Sequence, residues 1–306
     1  MLSGFWIHRM FQRKYSAARN PALLFIASRM IRLLPVFLIF NSLAIVMNMV
    51  LHEQVAPGRL SIIPNTLIIG YSSLPDAPFP PAWSLDIELQ FYILFPIIFA
   101  LMPSFERFFV RILFAAFLLG GLYFAFLPAL AFITIGTVFP FAGFFLLGAF
   151  SAKRGWKPSR SLSVASLVLT LILVTAILSV PSLRGFLIRG VSDLEIAWHD
   201  AVNFVLALVL TPFALSTVYV RSTHRDRIMG DMSYVVYCSH WLARTVAKHY
   251  LSDLGRTAKA PLVLGLIITT YGVSLLLLLY VDWPLSRWRE RWVARQLQPP
   301  NAVLKT

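Results

Sequence analysis

Apolar runs of near twenty residues recur along the chain, separated by short polar or basic clusters. Runs of that length with few charges mark helices that cross a hydrocarbon core of about 30 Å at about 1.5 Å per residue. The pattern predicts eight of them, at 30–50, 83–102, 108–128, 131–150, 161–180, 197–220, 233–251 and 260–281. Stretches of strictly alternating polarity, which a membrane barrel needs, do not occur. The predicted fold class is therefore all-α, a polytopic membrane helical bundle, with a single domain over 1–296 and a cytoplasmic tail over 297–306. Segment 51–82 interrupts the pattern. Pro57, Gly58, Pro64, Pro75, Pro78, Pro80 and Pro81 exclude a regular span there. Within it the short apolar piece 60–70 is left to be re-entrant or to lie in the interface. No repeat of fixed period is visible, which weakens an inverted-repeat transporter reading.

Composition supports a membrane solvent. Of the 306 residues 58% are hydrophobic and 13% charged, and the mean hydropathy is +0.75. A soluble fold would have too little polar surface to cover so many apolar side chains. Cys238 is the single cysteine, which excludes an internal disulfide and a thiolate metal cluster. His8, His52, His199, His224 and His249 are scattered without metal-ligand spacing, so no metal is expected. The net charge of +14 sits in clusters between apolar runs, which favours membrane topology over nucleic acid. Arg9, Arg13, Lys14, Arg19, Arg29 and Arg32 form one cluster. Lys153, Arg154, Lys157 and Arg160 form a second, and Arg287, Arg289, Arg291, Arg295 and Lys305 a third. Placing these in the cytoplasm puts both chain ends inside, with 51–80, the turn at Pro128 and 181–196 outside. The connection 244–259, with Arg244, Lys248, Arg256 and Lys259 against Asp253, is the exception. Met1 to Ile7 is too short for the apolar region of a signal peptide.

Ionisable groups within predicted spans are costly and point to function. The densest set is Trp83-Ser84-Leu85-Asp86-Ile87-Glu88-Leu89-Gln90-Phe91-Tyr92. On a helix Asp86 shares a face with Gln90, and Glu88 with Tyr92, while Asp86 and Glu88 point about 200° apart. That geometry argues against a shared-proton dyad or one metal held by both. The alternatives are substrate binding or catalysis, and plain helix pairing or a wet vestibule. Arg29 and Arg32 share a face at the mouth of a span, where two guanidinium forks suit a phosphate or serve as ordinary topology anchors. In the third set Ser233 is read as the cap of a helix whose polar face carries Tyr237 and His240. His240 reads either as a packing residue or as part of a site. Walker loop, dinucleotide fingerprint and nucleophile elbow are all absent from the sequence.

Taken together these segments resemble the acyltransferase type 3 family of integral membrane O-acyltransferases, whose members include glycan, lipopolysaccharide and exopolysaccharide O-acetylases. Leu2-Ser3-Gly4-Phe5-Trp6-Ile7 resembles its Ser-Gly-Phe-Leu-Ile segment, and Arg29, Arg32 and Pro35 its Arg-x-x-Arg-Ile-x-Pro. The 83–92 set resembles its Trp-Ser-Leu-x-x-Glu-x-Gln-Phe-Tyr signature. Ser233-Tyr234, Tyr237 and His240-Trp241 resemble its Ser-Tyr-x-x-Tyr-x-x-His, and Asp282 to Pro284 its closing Glu-x-Pro. Order and spacing hold over nearly the whole chain.

The resemblance implies transfer of an acetyl or other acyl group from cytoplasmic acyl-coenzyme A to a hydroxyl of an extracytoplasmic glycan or glycolipid, in a bacterial inner membrane. It implies Arg29 and Arg32 as ligands of the donor phosphates. Asp86, Glu88 and His240 are then the catalytic candidates, and Trp83, Ser84, Gln90, Tyr92, Ser233, Tyr234 and Tyr237 the substrate-binding ones. Membrane lipid and the two substrates are the expected partners, with no nucleic acid and no metal. Family members have about ten spans and an N-terminal helix bearing an Arg or Lys followed about eleven residues later by a presumed catalytic His. This sequence opens at the Ser-Gly-Phe segment, so a truncated or mis-started chain without the first two helices and that base is expected, and its own activity stays open. The rival readings are a glycolipid transporter or flippase and an inactive glycan-binding remnant.

Overall fold

The computed structural model describes residues 1–51, 62–74, 77–126, 136–188 and 193–297, which are mostly helical with short turns between helices and no strand among them. Five helical stretches among them are long and apolar enough to cross a membrane: Pro21–Val50, Pro80–Phe126, Arg160–Ser179, Trp198–Thr217 and Lys259–Leu297. The 47-residue stretch joins two predicted spans across the short turn Glu106–Phe108. Pro57, Gly58, Pro75, Pro128, Arg189 and nearly all of the predicted tail lie outside the described residues.

The chain forms two compact units. The first comprises Met1–Ser16 and Leu94–Arg221. It holds α1 (Leu2–Met10), the end of α4 (Trp83–Phe105), α5 (Phe109–Phe126), α6 (Ala142–Arg154), α7 (Arg160–Ser179), the single turn α8 (Arg184–Leu187) and α9 (Asp193–Thr217). Helices α1 and α6 cross with their backbones touching. A Cβ on Gly4 would meet the Phe145 carbonyl, and one on Gly148 the Met1 carbonyl. Glu106 pairs with Lys153 at 3.1 Å and with Arg154 at 3.2 Å, tying the turn before α5 to the basic end of α6. Predicted span 131–150 enters the described residues only as a 3-10 turn at Phe139–Phe141 followed by the thirteen-residue α6, too short to cross alone.

The second unit comprises Ala17–Ile93 and Ser222–Thr306. It holds α2 (Pro21–Val50), α3 (Ile62–Leu67), the start of α4, α10 (His224–Leu251), α11 (Arg256–Leu277) and α12 (Trp283–Leu297). Helix α2 begins nine residues before the predicted span, with Pro21 in its first turn where a missing N–H costs nothing. The apolar piece at 60–70 becomes the six-residue α3, followed by left-handed turns at Ile68 and Gly70. Asn41 of α2 holds α3, donating to the backbone and side-chain oxygens of Asn65, each at 3.1 Å.

Helix α10 corrects one expectation. Ser233 does not cap it. The cap is Thr223, whose hydroxyl accepts the Asp226 N–H at 3.2 Å while Asp226 accepts the Thr223 N–H at 2.7 Å. Ser233 lies inside the helix and donates to the Gly230 carbonyl at 2.6 Å. The Thr223 N–H, with the Thr223 hydroxyl, holds the exposed Asp226 carboxyl below its ordinary pKa.

Candidate functional site

Every site residue expected from the sequence lies in the second unit, on α2, α4 or α10. The structure divides them into a loop anchor, a polar relay, a tyrosine clamp and a charged cavity.

Asp86 is the loop anchor. It is fully buried in the first turn of α4, where the helix dipole favours a carboxylate. One oxygen accepts the Gly70 N–H and the Gln90 amide, both at 3.1 Å. The other accepts the Ser72 N–H at 2.9 Å and the Ser72 hydroxyl. Four donors fill the roughly four lone-pair sites of a carboxylate. Asp86 thus has the geometry of a group that fixes the 68–73 turns. The buried Tyr71 adds to this, donating to Asn41 at 2.9 Å and accepting the Phe79 N–H at 2.8 Å.

The relay runs from α2 to α4. The Arg29 guanidinium lies 4.4 Å from the ring centre of Tyr92 and donates to its hydroxyl. That hydroxyl donates to Glu88 at 2.5 Å, one turn away on the predicted shared face. A cation on one helix and a carboxylate on another are thus joined through a buried phenol. Glu88 also lies near enough to Tyr234 and Tyr237 to act on both electrostatically.

The clamp joins α10 to the head of α4 and to α2. Tyr237 spends its one hydroxyl proton on the Pro81 carbonyl, so Ser84, 2.7 Å away, donates to Tyr237. Tyr234 donates to the Leu33 carbonyl at 2.8 Å, two residues before the helix-interior Pro35. His240 is exposed, with its ring centre 5.7 Å from that of Tyr237, and Trp83 is exposed at the start of α4.

Arg32 faces elsewhere. It lines a cavity of about 610 Å³ with Asp231, Leu279, Asp282, Trp283, Ser286, Arg287, Arg289 and Glu290. Asp282 closes a π-helical turn, Leu278–Asp282, and interacts electrostatically with Arg32, Asp231 and Arg289. The Trp283 indole donates to Asp231 at 3.4 Å. In the sequence Asp282 to Pro284 stand just after the predicted span 260–281 and resemble the closing Glu-x-Pro, and Asp231 carries no expected role. Their signal was charge next to an apolar run, which also marks an ordinary helix end.

His8 is buried in α1 of the first unit, against the rings of Phe95 and Phe99, and neither ring nitrogen has a hydrogen-bond partner among the described residues. Burial, with Lys153 nearby, pushes its pKa down to about 4. No group of three or more His, Cys, Asp or Glu positioned for a metal occurs among the described residues.

A family model described as an acyltransferase domain, that of acyltransferase type 3, matches residues 1–280. No curated protein and no solved structure matches the chain.

Proposed function

This chain belongs to the acyltransferase type 3 family, and on that premise we propose that it is an integral membrane O-acyltransferase that moves an acetyl or other acyl group from cytoplasmic acyl-coenzyme A to a hydroxyl of an extracytoplasmic glycan. The carrying observation is the Arg29–Tyr92–Glu88 relay, in which two separate motifs of the sequence meet through one hydroxyl.

In this reading the acceptor hydroxyl oxygen attacks the thioester carbonyl carbon. Its proton passes to a base, the C–S bond breaks, and the coenzyme A thiolate leaves and is protonated. Hydrogen-bond donors stabilise the oxyanion of the tetrahedral intermediate. Glu88, held by Tyr92 and balanced by Arg29, orients the acceptor or the base. Ser84, Tyr234, Tyr237 and His240 line the same neighbourhood for the acceptor, with Trp83 as an exposed indole for a sugar face. Arg32 holds donor phosphate, and its cavity supplies two further guanidinium groups, on Arg287 and Arg289. Three carboxylates oppose them, so a phosphate must exchange with Asp282 for Arg32. The reading places the protein in a bacterial inner membrane with both ends of this chain cytoplasmic.

The test is label transfer from acyl-coenzyme A to glycan in membranes carrying the protein. Glu88→Gln should cut transfer by about a hundredfold while the protein still inserts. Arg32→Ala should raise the donor KM by about tenfold and leave kcat nearly unchanged. Full activity of Glu88→Gln, or counterflow of glycolipid without covalent change in the wild type, overturns the proposal.

A further inference from the structure

Helix α12 carries four arginines, Arg287, Arg289, Arg291 and Arg295, against the single acid Glu290. Its inner face is defined by the buried Arg289 and Val293. The opposite face exposes Trp288, Arg291 and Arg295, while Arg287 borders the cavity. Arg291 and Arg295 are one turn apart, and Trp288 lies beside Trp292 with ring centres 6.5 Å apart and planes within 10°. Glu290 is about 100° round the helix from Arg291, on the side that lines the cavity with Arg287, so it faces away from Arg291 and Arg295. A row of guanidinium forks flanked by indoles thus faces out from a helix that follows α11 through a single π-helical turn.

Each feature selects the same surroundings. Proximity to the last apolar helix puts α12 within reach of lipid headgroups. Indoles favour the layer between headgroup and hydrocarbon. Guanidinium groups match phosphodiesters in geometry as well as charge. A face meant only for water has no need of Trp288, and one meant for hydrocarbon has no place for Arg291 and Arg295. We propose that the outward face of α12 binds the headgroups of anionic phospholipids, with Arg291 and Arg295 on the phosphates and Trp288 seated beneath them. The proposal requires integration in a membrane and is independent of acyl transfer.

The full chain is reconstituted in phosphatidylcholine bilayers that contain a minor fraction of dibrominated phosphatidylglycerol or, in parallel, of dibrominated phosphatidylcholine. Emission lost in Trp288→Phe reports Trp288. Brominated phosphatidylglycerol should quench that emission about threefold more than brominated phosphatidylcholine, and high salt should reduce the excess. The excess should vanish in Arg291→Gln/Arg295→Gln and persist in Arg291→Lys/Arg295→Lys, which keeps the charge. Equal quenching by the two lipids overturns the proposal, as does an excess that survives the glutamine variant. Absence of quenching by either lipid also overturns it, because Trp288 then faces water or another protein. Label transfer in the same vesicles keeps a failure here separate from a failure of the acyltransferase reading.

Discussion

Arg29 and Arg32 are three residues apart on one helix, yet their guanidinium groups meet different partners. Arg29 is taken by Tyr92, whereas Arg32 reaches a cavity where Asp282 is an electrostatic partner. Under the proposed function, a donor phosphate would compete with the buried Asp282 carboxylate for Arg32 and not for Arg29. Asp282→Asn removes the competitor, and donor affinity measured by isothermal titration should rise severalfold. The same variant leaves the buried Arg289 less balanced, so the melting temperature should fall. Weaker donor binding in this variant would remove Arg32 from the donor site. His8 makes a second residue-scale case. Its folded pKa of about 4 is below the ordinary histidine value of 6.5, so the unfolded chain binds more protons between those limits. Stability should therefore fall as pH drops from about 6.5 towards 4, and His8→Phe should flatten that dependence in thermal melts of the detergent-solubilised protein. The approach of Asp86 to Gln90 and of Glu88 to Tyr92 was readable from a 100° step. The partners on other helices were not, because a helix period says which residues share a face and nothing of what that face meets.

Helices in lipid must satisfy their own backbones, so a proline inside a span needs a remedy. Pro212 in α9 shows one. Beside it, the step that would join the Phe213 N–H to the Val209 carbonyl is bridged by a hydroxyl from the neighbouring helix. Ser166 of α7 accepts the Phe213 N–H at 3.3 Å and donates to the Val209 carbonyl at 2.6 Å. Ser166→Ala should lower stability by about 1–3 kcal/mol in chemical unfolding, since it orphans both groups. Ser166→Thr, which keeps the hydroxyl, should cost less. The Ser-Gly-Phe segment has an equally local explanation. Its Gly4 faces the α6 backbone, so Gly4→Leu should part α1 from α6 and reduce the yield of folded protein in membranes. Neither role could be read in advance, because a serine in an apolar run and a glycine in a motif acquire these contacts only once two helices pack. The start of α10 was legible and was still misplaced. Apolar periodicity begins near Ser233, but Thr223 with Asp226 three residues on is a capping box, and cap chemistry sets where a helix begins.

At the scale of the molecule the same helix decides the topology. Hydropathy alone made 233–251 a span, yet α10 falls outside the five stretches apolar enough to cross. Between Met232 and Ala243 it has twelve residues free of Asp, Glu, Lys and Arg, about 18 Å of helix against a core of about 30 Å. Its whole length of 28 residues is about 42 Å, and Arg227 and Arg244 have stems long enough to carry their charges towards opposite interfaces. It also packs against α2 and α11, and Ser239 meets Ser274 of α11 at 2.7 Å, so protein rather than lipid covers that hydroxyl. Crossing is therefore physically allowed, and the proposed topology requires it, with 244–259 outside despite its basic residues. Cysteine labelling checks this with little background, because Cys238 is the single cysteine and is buried. Lys157→Cys and Arg291→Cys should react with a membrane-impermeant maleimide only after the cytoplasmic face is opened, and Lys248→Cys should react in intact cells. If Lys248→Cys instead labels from the cytoplasmic face with the other two, α10 turns back within one leaflet. The proposed route from a cytoplasmic donor at Arg32 to an outer acceptor would then lose the helix that carries Tyr237 and His240 towards the outer face.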